Sequence, residues 1–186
     1  RTTFKKAIDE LTVTDKGTAE VKNYISLKLT KPKVAENQPF LVPKKSVFNK
    51  IIGDNPFELE VASFLESRFS DVIAYAKNTM GEGGINFKIE YQAQDGNIRE
   101  YYPDFFVKTG PNTFYILETK GREDLDDLLK IKRLVTWCKD INNAQSKYTY
   151  TPVYVKQEKW DEVKQNLKSF QDLIEIFNVA NKEMAL

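Results

Sequence analysis

Apolar and polar positions change rhythm several times along this chain, and each change predicts an element. From Asn55-Pro56-Phe57 to about Phe69, the residues Phe57, Val61, Phe64, Leu65 and Phe69 gather on one arc at about 100° per residue, which predicts a helix. Pro56 suits its first position, with Asn55 or Asp54 as cap. Residues 86–91 alternate as a strand, and Asp95-Gly96-Asn97 predicts a hairpin turn. Residues 101–107 and 113–120 are aromatic, β-forming runs. Thr109-Gly110-Pro111-Asn112 between them supplies turn chemistry, so the pair predicts a second hairpin. Beyond Gly121, Leu125, Leu128, Leu129, Leu134, Val135 and Cys138 recur at helical spacing over residues 124–141. Residues 148–155 then predict a strand, and residues 159–179 one or two closing helices. The order predicts a mixed α/β core.

Residues 1–45 are less regular. Residues 3–11 predict a short helix and residues 24–29 a strand with one wet face, before Pro32, Pro39 and Pro43 interrupt the chain. This segment reads as an N-terminal arm or the tail of a preceding domain, and residues 46–186 as the main domain. The chain opens at Arg1, so it reads as a piece of a longer protein.

Composition narrows the chemistry. With 186 residues, 41% hydrophobic and 30% charged, the chain can bury one good core. A net charge of +1 means that any nucleic-acid contact must come from a local patch. There is one cysteine, Cys138, and no histidine, which excludes an internal disulfide, a Cys/His zinc site and any Ser-His-Asp or Cys-His arrangement. General-base work falls to carboxylates, lysine or metal-bound water. No membrane-length apolar stretch or signal peptide is visible, so a cytoplasmic location with no membrane partner is expected.

The most informative residues are Pro103-Asp104 and, fourteen positions after that aspartate, Glu118-Thr119-Lys120. Alternation along a strand points Glu118 and Lys120 the same way, and pairing the two strands can bring Asp104 beside Glu118. Two carboxylates and an ammonium at one spot suit Mg²⁺, with a backbone carbonyl near Thr119 and several waters completing its shell. Lys120 would orient the attacking water or stabilise the phosphate. A solvated hairpin end with a surface ion pair is the alternative. Glu58 lies inside the apolar arc of the first helix, whereas Glu60 sits at its edge and Glu66 outside, so Glu58 is the candidate third acid. Its alternative is a first-turn acid favoured by the helix dipole, which is also the reading of Asp124, Asp126 and Asp127. Lys44, Lys45, Lys50, Lys130, Lys132, Arg133 and Lys139 can hold phosphates or simply form solvated faces.

The arrangement Pro-Asp … Glu-x-Lys resembles the PD-(D/E)xK nuclease superfamily. A longer series sharpens the likeness: Ser46-Val47-Phe48-Asn49-Lys50, Phe57-Glu58, Val61-Ala62, Phe64-Leu65-Glu66, Asp71-Val72, Ala76-Lys77-Asn78, Glu90-Tyr91, Tyr102-Pro103-Asp104-Phe105 and Glu118-Thr119-Lys120-Gly121-Arg122-Glu123. Over residues 46–155 it resembles the C-terminal endonuclease domain of the Res subunits of type III restriction-modification enzymes. That resemblance implies a restriction-endonuclease-like fold and a hydrolase that cuts double-stranded DNA with Mg²⁺, for which Mn²⁺ can substitute. It implies Asp104, Glu118 and Lys120 as the nuclease triad, with Glu58 as the helix acid. It also implies an upstream helicase-type ATPase and a methyltransferase partner. The chain has no Gly-x-x-x-x-Gly-Lys-Ser/Thr loop, so ATP would be used only outside it. The rival expectation is a nuclease-fold module that binds DNA or a partner subunit without cutting.

Overall fold

A computed structural model describes Leu27 and residues 36–122 and 124–180. The helix and strand expected within residues 3–11 and 24–29 lie outside the described residues, apart from Leu27, which packs against the core. The fold is mixed α/β: a four-stranded mixed sheet with helices on both faces.

Two short strands, β1 (Phe40–Leu41) and β2 (Ile51–Ile52), pair antiparallel ahead of the first helix. The end of the segment read as an arm is therefore bound to the main domain. The backbone N–H groups of Lys44 and Lys45 also donate to the two carboxylate oxygens of Glu66.

Helix α1 (Pro56–Ser63) starts as its sequence predicts. Asn55 is the cap, its Oδ1 accepting the Glu58 N–H at 3.0 Å, and Pro56 comes next. The helix runs on through a π-helical turn, Phe64–Arg68. There the Lys45 ammonium donates to the carbonyls of Leu65 and Phe69 at 3.3 and 2.8 Å, satisfying acceptors that a helix end leaves open.

Strand β3 (Ala74–Lys77) is next along the chain. Its sequence, Ala-Tyr-Ala-Lys, gives no alternation because three of the four residues are buried. β4 (Ile89–Gln92) and β5 (Ile98–Tyr101) form the expected hairpin across Asp95-Gly96, with Gly96 at φ 79° in the turn. The run at residues 101–107, however, is not one strand. It divides into β5 and β6 (Phe105–Lys108), which belong to different sheets. Tyr102-Pro103-Asp104 makes the bend, where Pro103 has no N–H to give a ladder.

β6 pairs antiparallel with β3 and with β7 (Thr113–Lys120). β7 pairs in parallel with β8 (Thr149–Lys156) from Thr113↔Thr149 to Lys120↔Lys156, giving the order β3-β6-β7-β8. A parallel pair needs a long crossover, and α2 (Asp127–Ala144) provides it. α2 begins three residues later than its periodicity suggests. In the preceding turn Asp124 Oδ1 accepts the Asp126 N–H and Asp127 Oδ2 accepts the Asp124 N–H. Leu125 is consequently 79% exposed rather than part of the apolar face. Pro152 is tolerated in β8 because β8 is the outer strand. Its carbonyl instead accepts the Val179 N–H, and Val153 bridges to Asn178. At the opposite edge the Tyr75 N–H donates to the Lys45 carbonyl at 2.9 Å.

Alternation along β7 divides the core. Leu117 joins Phe105, Val107, Val153 and Val155 against α1 and the closing helices α3 (Gln157–Val163) and α4 (Phe170–Phe177), while Ile116 faces Leu134 and Cys138 of α2. Trp160 is fully buried, with edge contacts to Phe57 and Phe64. Asp71 accepts the first N–H groups of α4, those of Phe170 and Gln171, at 2.8 and 3.0 Å. Among the described residues no helix is long and apolar enough to cross a membrane.

Because α3 is joined to α1 through Trp160, Trp160→Ala should destabilise the whole domain by about 3–5 kcal/mol in urea unfolding monitored by circular dichroism. Loss of only the C-terminal signal, with the remaining transition unmoved, would contradict a shared core.

Candidate functional site

The β6–β7 register pairs Phe105 with Leu117, which sets Asp104 against Glu118 and Thr119 at the end of both strands. Asp104 is clamped there: its Oδ2 accepts the Thr119 N–H at 2.7 Å and the Thr119 hydroxyl at 2.6 Å. Its carbonyl accepts the Asn78 N–H at 2.6 Å. Glu118 is oriented by Tyr101, whose hydroxyl donates to Oε2 at 3.0 Å. Asp104, Glu118, Thr119 and Lys120 line one cleft of about 560 Å³ with Glu58, Asn55, Arg122 and Gln157. The two strands thus bring the expected acids together, and α1 brings Glu58 to the same opening.

The electrostatics of the acids come from this placement. Both carboxyl groups keep an edge toward the cleft while protein surrounds them elsewhere. Burial, then the nearby Glu58 charge, pushes the Asp104 carboxyl up to about 6, against the opposing influence of Lys77 and the Thr119 bonds. Burial, then the charge of Asp104, holds Glu118 well above the ordinary carboxylate range. Among the described residues no ammonium or guanidinium lies within ion-pair distance of either acid. Two oxygen ligands short of positive charge fit a hard divalent cation, which takes one or two carboxylates and keeps several waters.

Glu58 is placed differently from the expected third ligand. It is 4% exposed, and both its oxygens are occupied. Oε2 lies 2.6 Å from the Lys77 ammonium and accepts the Asp54 N–H, while Oε1 accepts from the Asn55 amide at 2.7 Å. Lys77 is itself 2% exposed, with a second ion pair to Asp54 at 3.0 Å. Burial alone would depress its pKa, but Glu58, Asp104 and Asp54 outweigh that and keep it protonated. Among the described residues, no three acidic or cysteine side chains form a ready-made ligand cluster.

Lys120 does not pair with Glu118. Its ammonium is 2.9 Å from Asp127 and 3.2 Å from Asp124, and Lys130 bonds the same two acids. Asp127 is a first-turn acid of α2, as expected, and at 3% exposure it serves these lysines as well. Asp126 likewise accepts from Tyr91, Gln94 and Arg99 rather than standing free. Several candidate phosphate-binding cations have structural roles as well. Lys45 closes the π-helical turn, Lys130 is held by Asp124 and Asp127, and Arg133 donates to the Glu90 carbonyl. Lys50 lies over the Phe40 ring.

Tyr101 and Lys77 are the site residues that sequence reasoning missed. Tyr101 had a signal, as an aromatic of the β-forming run just before Pro103-Asp104. Lys77 stands in the series Ala76-Lys77-Asn78 that carries the resemblance, but no spacing or periodicity assigns it a role at the site.

No protein-family model, curated protein or solved structure matches this chain.

The raised Asp104 value carries a sign for stability. An aspartate raised from 3.8 to about 6 binds more protons folded than unfolded, so its penalty is absent below about pH 4 and grows as pH rises through 6. With the cleft open to solvent, the penalty above pH 7 is about 1–2 kcal/mol. Thermal melts in EDTA should show the protein a few degrees less stable at pH 7.5 than at pH 4.5, with most of the change complete by about pH 6. Asp104→Asn should remove most of that difference by stabilising the protein at pH 7.5. An identical slope in wild type and Asp104→Asn would refute the assignment.

Proposed function

We propose that this chain is the PD-(D/E)xK endonuclease module of a type III restriction enzyme, hydrolysing DNA phosphodiesters with Mg²⁺. The observation that carries the reading is the shared cleft. Adjacent strands deliver Asp104 and Glu118 to it, both carboxyls are raised, and neither has a cationic side chain at ion-pair distance. The ordered residue series from Ser46 to Glu123 supports the narrower family.

Asp104 and Glu118 would hold the cation, with the Thr119 backbone beside them. Mn²⁺ would serve in its place. Bound there, the metal supplies neutralisation of charge on the scissile phosphate and a water of lowered pKa. The protein's own part is positioning. Thr119 fixes one oxygen of Asp104 and leaves the other for the cleft, and Tyr101 does the same for Glu118. Lys120 stays protonated because Asp127 and Asp124 outweigh its partial burial. When it leaves those acids, its ammonium reaches the attacking water or the phosphate. Arg122, exposed at the rim, meets the DNA backbone without reading sequence. Site recognition would lie with a methyltransferase partner, and ATP hydrolysis with an upstream helicase domain.

One observation favours a second reading, a nuclease-fold module that binds DNA or a partner without cutting: Lys120 is engaged by two acids in this state. Two measurements separate the readings. In isothermal titration Mn²⁺ should bind the chain, and Glu118→Gln should abolish that binding. With supercoiled plasmid and Mg²⁺ or Mn²⁺, the enzyme containing this chain should cut, and Asp104→Asn, Glu118→Gln and Lys120→Ala should each lower the rate by about 100-fold or more while leaving the circular dichroism unchanged. Undiminished cutting by Asp104→Asn would overturn the nuclease assignment. DNA binding with no Mn²⁺ uptake would establish the second reading.

A further inference from the structure

Lys77 sits where a strand rarely tolerates an ammonium. It ends β3, directly after the buried residues Tyr75 and Ala76, and its nitrogen lies 5.6 Å from the centre of the Phe105 ring. Desolvating a lysine costs several kcal/mol, and replacing a buried ion pair by apolar side chains of similar volume is often neutral or stabilising. A fold has little stability reason to keep a charge here.

The surroundings suggest what the charge is for. Lys77 Nζ is 2.6 Å from Glu58 and 3.0 Å from Asp54, and the next residue, Asn78, binds the backbone of Asp104. Glu58 and Asp104 line the same cleft. That cleft therefore has two acidic sides. On one, Asp104 and Glu118 lack an ion-pair partner. On the other, Glu58 already holds a cation supplied by the chain itself, which it shares with the exposed Asp54.

We propose that Lys77 is a resident cation standing in for a second metal ion. By pairing with Glu58 and Asp54 it limits the cleft to one divalent cation, held by Asp104 and Glu118, and makes Glu58 a positioning residue rather than a ligand. This inference rests on the metal site proposed above. In two-metal nucleases the second ion lies about 4 Å from the first and stabilises an oxygen of the reacting phosphate. Here the ammonium beside Asp104 supplies positive charge on that flank with no second ion to bind or lose.

Counting bound Mn²⁺ tests the idea without DNA or cleavage. Electron paramagnetic resonance of free Mn²⁺, backed by isothermal titration on the whole chain, should give one ion for wild type. Lys77→Met uncovers the second acidic side and should take up a second Mn²⁺. Its melting temperature should fall in EDTA and recover when Mn²⁺ is added, which lost packing alone would not do. Lys77→Met combined with Glu58→Gln should return the count to one. Glu58→Gln alone should still bind one ion. Two ions in wild type, one in Lys77→Met, or loss of the ion in Glu58→Gln would each overturn the role of Lys77. No ion in wild type would overturn the metal site itself and this inference with it. If Lys77→Met fails to fold, Glu58→Gln decides, since a ligand role for Glu58 and a positioning role predict opposite results there.

Discussion

Everything at the cleft depends on the pairing of β6 with β7. Their register sets Asp104 opposite the Glu118-Thr119 step, and the two bonds from Thr119 to one Asp104 oxygen lock the aspartate there. A shift of one residue would turn Glu118 toward α1 and Thr119 toward α2, because side chains alternate faces. Such a slip is strongly opposed. It would also move Ile116 and Leu117, which anchor the two halves of the core on opposite faces of the sheet. The chemistry of the site and the packing of the domain are thus fixed by the same pairing.

Around that pairing the charges form two separate groups. Lys77 binds Glu58 and Asp54 on the side of α1, while Lys120 and Lys130 bind Asp124 and Asp127 at the start of α2. Asp104 and Glu118 lie between these groups, repelling each other and lacking ion pairs of their own. Such a distribution leaves a local deficit of positive charge in a chain whose net charge is +1. On the function proposed above, a small, highly charged cation would offset that deficit as the two carboxyls ionise. A monovalent ion would compensate it less well.

Most of the framework was legible in the sequence because its signals were local. Asn55-Pro56 marked a helix start, Asp95-Gly96 a hairpin, and the Leu/Val/Cys spacing the crossover helix. The Asp104–Glu118 proximity came from two β-forming runs separated by a turn. What escaped was non-local. β3 has too few residues to show a period, and its lysine is buried by elements distant in sequence. The 101–107 run read as continuous because its residues favour strand throughout, and only Pro103 hinted at the bend. Leu125 matched the helical period of α2, yet it faces solvent because the carboxylates of Asp124 and Asp127 hold the preceding turn. Glu58 was rightly singled out as a buried acid, but its partner could not be read from spacing.

Both outer strands of the sheet are met by irregular chain. The Lys45 carbonyl receives the Tyr75 N–H along β3, and Pro152 and Val153 of β8 are met by Val179 and Asn178. The four strands therefore cannot readily be extended sideways by a strand from another molecule, a route that leads unguarded sheets into aggregation. A partner is thereby directed away from the edges of the four-stranded sheet. Contact away from those edges leaves the ladder beneath Asp104 and Glu118 undisturbed as neighbouring parts move.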